Sequence, residues 1–135
     1  MGLKFGTEAW VNAYAEKLNA NAAYEEAAKT WEGDFVFIIE PSGNLDHEVR
    51  FYVDLYHGKA RSWKALNSGD AMEAAFEFAG PWENYDLLIE GKLDPIKGLM
   101  TKKFSLKGDM KKVMRAVKAA KQLVETIKMV DTEKY

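Results

Sequence analysis

His47 and His57 are the chain's two histidines, and it has no cysteine. The missing thiols remove disulfides, thiolate zinc sites and cysteine nucleophiles together, as suits a reducing compartment. The two imidazoles fall in or beside turns about ten residues apart, without the His-Glu-x-x-His spacing that puts two zinc ligands on one helix face. Among the carboxylates, Glu25 and Glu26 fall in a helix-like stretch, Glu73 and Glu77 share one face of a strand-like one, and Asp46 and Glu48 flank His47. All of these read as solvated groups rather than a facing acid and base. No Gly-x-Ser-x-Gly elbow and no glycine-rich phosphate loop occurs. The expectation is a chain with no catalytic residue, no metal and no cofactor.

Charge offers a binding chemistry instead. Lys97 to Lys128 holds ten Lys or Arg against Asp109 and Glu125, whereas Met1 to Ile96 holds eight against seventeen acids, for a net charge of −2. Such asymmetry marks either an anionic partner, phosphate or a membrane surface, or a solvated face. The charged face carries no interleaved aromatics and no nucleic-acid motif, so no nucleic-acid partner is expected.

The rest of the composition describes what must hold such groups. At 135 residues, with 47% hydrophobic and 13% aromatic residues, the chain fits a single domain with a substantial core. No run approaches the roughly 20 apolar residues that span a bilayer, and Met1 to Gly6 lacks a basic region followed by an apolar one. A cytoplasmic protein is expected.

Thr7 to Ala20 is predicted as a helix, with Trp10, Tyr14 and Leu18 on one stripe and Thr7 as cap. Asn21 caps a second, whose stripe runs through Tyr24, Ala27, Ala28 and Trp31 and which stops at Gly33. Asp34 to Glu40 is a continuous β-branched and aromatic run, predicted as a central strand. Alternation predicts strands over Val49–Tyr56 and Ala60–Leu66, forming with the first an antiparallel meander. Met72 to Phe78 has a strand period with helix-forming residues, and Pro81 and Asp94-Pro95 open short helices. Phe104 to Leu106 is a fifth strand, and Met110 to Val130 a long amphipathic helix. The class is α+β, one domain over 1–135, with N-terminal helices in 1–33 and the sheet with its covering helices in 34–130.

Between Phe76 and Val117 the supply of apolar side chains is generous: Phe76, Phe78, Leu88, Ile96, Leu99, Met100, Phe104, Leu106, Met110, Met114 and Val117. Periodicity leaves two readings open, an ordinary filled core or a lined cavity. The methionines Met100, Met110 and Met114 have adaptable side chains that suit either.

Gly91-Lys92-Leu93-Asp94-Pro95, and Lys107-Gly108-Asp109-Met110 ahead of the last helix, resemble the C-terminal half of the sterol carrier protein 2 (SCP2) domain family. The likeness extends back through Asp54-Leu55-Tyr56-His57-Gly58-Lys59 of the meander. It implies a five-stranded, mostly antiparallel sheet covered by helices, enclosing an apolar tunnel that takes sterols, fatty acyl chains or acyl-CoA without chemistry. The family commonly has Gly where this chain has Lys102, and the usual peroxisomal ending is replaced by Glu133-Lys134-Tyr135, as in a bacterial or archaeal cytosolic relative. On this reading the eleven apolar residues above line the tunnel, and Lys102, Lys103, Lys107, Lys111 and Arg115 meet a lipid head group or an anionic membrane. The alternative is an interaction module with a filled core, in which Trp10, Tyr14, Trp31 and the last helix bury their faces against a second subunit as a homodimer.

Overall fold

The computed structural model describes residues 2–135, and Met1, the start of the expected domain, lies outside the described residues. Along the chain run β1 (Leu3–Lys4), α1 (Glu8–Asn19), α2 (Ala22–Ala27), β2 (Glu32–Glu40), β3 (Val49–Tyr56), β4 (Lys59–Leu66) and β5 (Phe76–Pro81). They are followed by α3 (Trp82–Ile89), α4 (Pro95–Met100), β6 (Ser105–Lys107), α5 (Met110–Arg115), α6 (Val117–Ile127) and β7 (Thr132–Glu133). The α+β class and the five-stranded, mostly antiparallel sheet are as expected, with strand order β4-β3-β2-β5-β6 and one parallel pair, β2 with β5.

Register arranges the sheet's inner face in rows. Phe37 lies opposite both Phe51 of β3 and Phe78 of β5, and Phe35 lies opposite Val53 and Phe76. Rings therefore meet across strands, Phe37 to Phe51 at 5.0 Å and Phe35 to Phe76 at 4.9 Å between centroids. The other face carries Asp34, Arg50, Tyr52 and Asp54, with the Tyr52 hydroxyl donating to Asp34 Oδ2 at 2.8 Å. The β3–β4 hairpin turns on His57 and Gly58, both at positive φ (50° and 81°), the backbone of a two-residue type I′ turn.

Three helices start at the caps expected for them, Thr7, Asn21 and Asp94, and α5 starts at a fourth, Asp109. Thr7 Oγ1 accepts from Trp10 N, Asn21 Oδ1 from the amides of Ala23 and Tyr24, Asp94 Oδ1 from Ile96 N, and Asp109 Oδ1 from Lys112 N. The ends differ more. The second helix stops at Ala27, so Trp31 and Gly33 lie beyond it and Gly33 pairs with Leu55 inside β2. A Cβ on Gly33 would sit 2.7 Å from the Phe76 ring, so this glycine permits close packing rather than ending a helix. The fourth strand of the sheet is shifted to Phe76–Pro81, because the Asp34 carboxylate takes the Ala75 amide at 2.7 Å and pairing with β2 begins one residue later. The predicted single last helix is broken at Ala116 (φ −97°, ψ 41°) into α5 and α6. No Pro or Gly lies between Met110 and Val130, so tertiary packing makes this break, bringing Val113 and Ala119 to the core from two helices. The pairing of β1 with β7 had no sequence signal, since two residues carry no periodicity.

Lys102 occupies the left-handed conformation that the resemblance reserves for glycine, at φ 62°. Its amide donates to Leu99 O and that of Lys103 to Gly98 O at 2.8 Å, which together form a Schellman end to α4. The tight turn is thus present with a lysine carrying it. It delivers Phe104 between two glycines, where a Cβ on Gly80 or Gly98 would stand 2.4 or 2.6 Å from the ring. Gly98→Ala, which in an exposed helix gains up to about 1 kcal/mol, should here cost about 1–3 kcal/mol through overpacking. A denaturant melt checks this, and a variant at least as stable as the parent would show that the Phe104 slot is loose.

Candidate ligand cavity

Between the sheet and the helices lies an apolar cavity of about 80 Å³, counting only space open to the centres of water-sized spheres. One water needs roughly 10–15 Å³ on that measure. Its floor is the ring row of Phe35, Phe37, Phe51 and Phe78. Phe5 and, from α1, Trp10 and Tyr14 close one side, and Tyr85, Leu88, Pro95, Ile96 and Leu99 of α3 and α4 another. Val113 of α5 with Ala120, Leu123, Val124 and Ile127 of α6 complete the wall. These four α6 side chains are only half-buried, although they form that helix's apolar stripe.

The aromatic residues in the wall turn their polar tips away from the void. Trp10 Nε1 donates to Thr132 Oγ1 at 2.9 Å, the Tyr14 hydroxyl to Leu123 O at 2.7 Å and the Tyr85 hydroxyl to Phe78 O at 2.9 Å. Burial pushes both phenols well above their ordinary range, with a smaller contribution from Tyr24 at Tyr14 and from Glu40 at Tyr85, so both remain neutral donors. The cavity therefore presents hydrocarbon and ring faces and lacks the convergent polar groups that chemistry requires.

Two further cavities lead outward. One of about 30 Å³ shares Phe35, Val113, Ala120 and Leu123 with the first and adds Tyr24, Trp31, Leu55, Ala116 and Ala119. The next, about 230 Å³, shares Trp31, Ala116 and Ala119 with the second and is bounded by Ala27, Thr30, Lys112 and Arg115. Lys112 Nζ stands 4.7 Å from the Trp31 ring centre and donates to the carbonyl oxygen of Glu32. The three cavities thus lie in series, each sharing wall residues with the next, from the ring floor to a basic mouth.

Of the apolar residues expected to line a ligand site, Phe78, Leu88, Ile96 and Leu99 are in the wall. Phe76 and Phe104 are buried core beside it, Phe76 stacked on Phe35 and Phe104 on Phe78 at 4.6 Å between centroids. Leu106 and Met114 are half-buried against the core. Met100, Met110 and Val117 are corrections to the expected lining: they stand at the surface, with Met100 67% exposed. Their helices are too short, or too sharply broken, to carry one periodic stripe inward over the whole length. Lys102 and Lys103 lie exposed at the α4–β6 turn, Lys107 stands 3.9 Å from the Glu77 carboxylate, and Lys111 points to solvent from α5. Only Arg115 of these basic residues borders the mouth, where it is joined by Lys112. Lys112 and Arg115, three apart on α5, border this cavity together with Trp31, whereas Lys111 does not.

The wall residues that sequence reasoning missed are mostly aromatic positions of the N-terminal half and the stripe of α6. Trp10, Tyr14 and Trp31, expected in the alternative reading to pack on a second subunit, are buried in this chain's own interior. The α6 stripe was legible as an apolar face, but not what it would face. Among the described residues no three His, Cys, Asp or Glu gather as a metal site, and no helix is long and apolar enough to cross a membrane.

The SCP-2 sterol transfer family matches residues 11–121. A crystal structure of sterol carrier protein 2 is similar at 34% identity with a TM-score of 0.83, over 94% of this chain and 99% of that one. A conserved hypothetical protein of Thermus thermophilus, described as possibly a sterol carrier protein, is similar at 33% identity and TM-score 0.86, over 98% of this chain and 95% of its own. The apo form of sterol carrier protein 2 from Yarrowia lipolytica shares the fold at 20% identity and TM-score 0.58, over 87% and 88% of the two chains. No curated protein sequence matches.

In a filled core a large side chain at Ala120 would cost about 1–3 kcal/mol or more. Since Ala120 borders both apolar cavities, Ala120→Phe is expected to change unfolding free energy by less than about 1 kcal/mol. Thermal and denaturant unfolding check this, and a loss above that range would mean the space is closed in solution.

Proposed function

From the premise that the chain belongs to the SCP-2 sterol transfer family, we propose that it binds the apolar part of a lipid in the cavity between sheet and helices, and passes it between membranes or proteins without altering it. The observation that carries this reading is the apolar cavity whose aromatic wall has every indole N–H and phenol O–H of Trp10, Tyr14 and Tyr85 directed elsewhere. Fatty acyl chains, acyl-CoA and sterol-like molecules share the needed chemistry. Each buried methylene contributes about 0.8 kcal/mol, so a chain of roughly sixteen carbons gains on the order of 12 kcal/mol before ordering and association costs. Methylenes discriminate poorly, and tolerance of chain length follows. A long chain displaces the partition of Val113, Ala120 and Leu123 between the first two cavities.

Loading from a bilayer would use the exposed cations outside the mouth. Lys102, Lys103, Lys107 and Lys111 lie with exposed Met100 and Met110 along α4, β6 and α5. Basic residues near an anionic surface contribute about 1 kcal/mol each.

Native mass spectrometry of the purified protein, beside its denatured mass, is expected to show a bound lipid that organic extraction releases. Delipidated protein should take up a sixteen-carbon fatty acid, and Ala120→Phe should lower that affinity at least tenfold while the fold persists. A parent protein that carries no lipid and takes up neither fatty acid, acyl-CoA nor sterol would overturn the reading.

A further inference from the structure

The Arg115 side chain is exposed at the rim of the outer cavity, and among the described residues it has neither a hydrogen-bond partner nor a carboxylate within ion-pair distance. Its neighbour Lys112 meets only a main-chain oxygen, that of Glu32, and the faces of Trp31 and Phe76. The Glu32 carboxylate is hydrogen-bonded to His57 Nε2 at 2.6 Å and feels the charge of Lys112 without touching it, and Lys29 beyond the end of α2 is paired with Glu26. Two cations therefore border the roomy outer cavity without a carboxylate partner in contact, and Thr30 adds a hydroxyl to the rim. Trp31 and two alanines, Ala116 and Ala119, form the wall between this outer cavity and the smaller apolar one.

We infer that Lys112 and Arg115 form a head-group site for a carboxylate or phosphate, so that the natural ligand is an anionic amphiphile held head outward at the break between α5 and α6. This rests on the lipid-binding reading and adds the ligand's charge and its orientation. The chemistry fits the position. A guanidinium grips either anion with two parallel hydrogen bonds, and the ammonium over Trp31 adds a point charge beside the place where the chain turns inward. Ala116, the residue that breaks the helix, lies in the wall of both the second and third cavities, so the break stands between the charges and the hydrocarbon interior.

The test compares hexadecanoate, hexadecyl phosphate and hexadecanol binding to delipidated protein by displacement of a fluorescent fatty acid at fixed salt. The parent should prefer both anions to the alcohol by about tenfold or more, the scale of one charge-assisted hydrogen bond. Arg115→Gln and Lys112→Gln should each remove most of that preference while leaving hexadecanol within about twofold, and Arg115→Lys should keep part of it. Circular dichroism confirms that the variants fold. A larger loss for the phosphate than for the carboxylate in Arg115→Gln assigns the site to a phosphate head, and the reverse to a free fatty acid. Equal binding of acid and alcohol by the parent, or an anion preference that survives both substitutions, overturns the head-group site alone. Failure of all three ligands to bind overturns the cavity reading beneath it.

Discussion

The rows of phenylalanine across β3, β2 and β5 are the constraint on which the rest depends. Phe35 and Phe37 of the central strand meet Val53, Phe51, Phe76 and Phe78 in register, so one face of the sheet is a continuous ring surface that must be kept from water. A slip of one residue would exchange that face for the one carrying Asp34, Tyr52 and Asp54, so the register is strongly specified. Helices must then cover the rings. They touch them around the margins and leave the middle as a void, because a layer of short helices, the longest of 12 residues, bridges a broad face without filling it.

Keeping such a void open requires its wall to be fastened from outside. Much of that fastening is polar and remote in sequence. Asn21 Nδ2 donates to Thr126 Oγ1 at 3.0 Å, joining the cap of α2 to α6, and Thr126 in turn donates to Gln122 O. The hydroxyl of Tyr14 holds Leu123 O, and the Trp10 indole holds Thr132 next to the parallel pair of β1 and β7. At the C-terminus Lys134 bridges Asp86 of α3 and Glu90 at the end of that helix, and Tyr135 donates to Phe5 O. Asn21 and Thr126 are buried, and buried polar groups that find one another set position more than they add net stability. The aromatic tips thus do two things at once, leaving an apolar interior and tying α6 in place as its outer wall.

The path outward depends on small residues where large ones would close it. Ala116, Ala119 and Ala120 fall where α5 turns into α6, and short side chains are what stand in the walls shared between the inner cavity, its smaller neighbour and the basic rim. The basic residues ahead of that turn are divided by the direction they face. Arg115 and Lys112 face the mouth, while Lys111, Lys107, Lys103 and Lys102 face away from it. One excess of charge in the sequence becomes two separate basic surfaces.

By itself the sequence determined the class of fold, the meander, the capped helix starts and the absence of a recognisable catalytic motif, because each of these follows from period, cap or motif within a few adjacent residues. The glycine-like turn at Lys102 was legible as a place, although only the backbone showed that a lysine adopts it. Tertiary structure alone decided which apolar residues border empty space. Phe78 and Leu99 line the void while Phe76 and Phe104, of the same type and pattern, are packed solid, and Met100 and Val117 are outside altogether. A side chain's hydrophobicity states that it leaves water, whereas what it meets afterwards depends on residues over a hundred positions away, as Tyr14 and Leu123 show. The break at Ala116 has the same origin: helical periodicity is equally good on both sides of it, and only the need to cover a curved ring surface selects two helices over one.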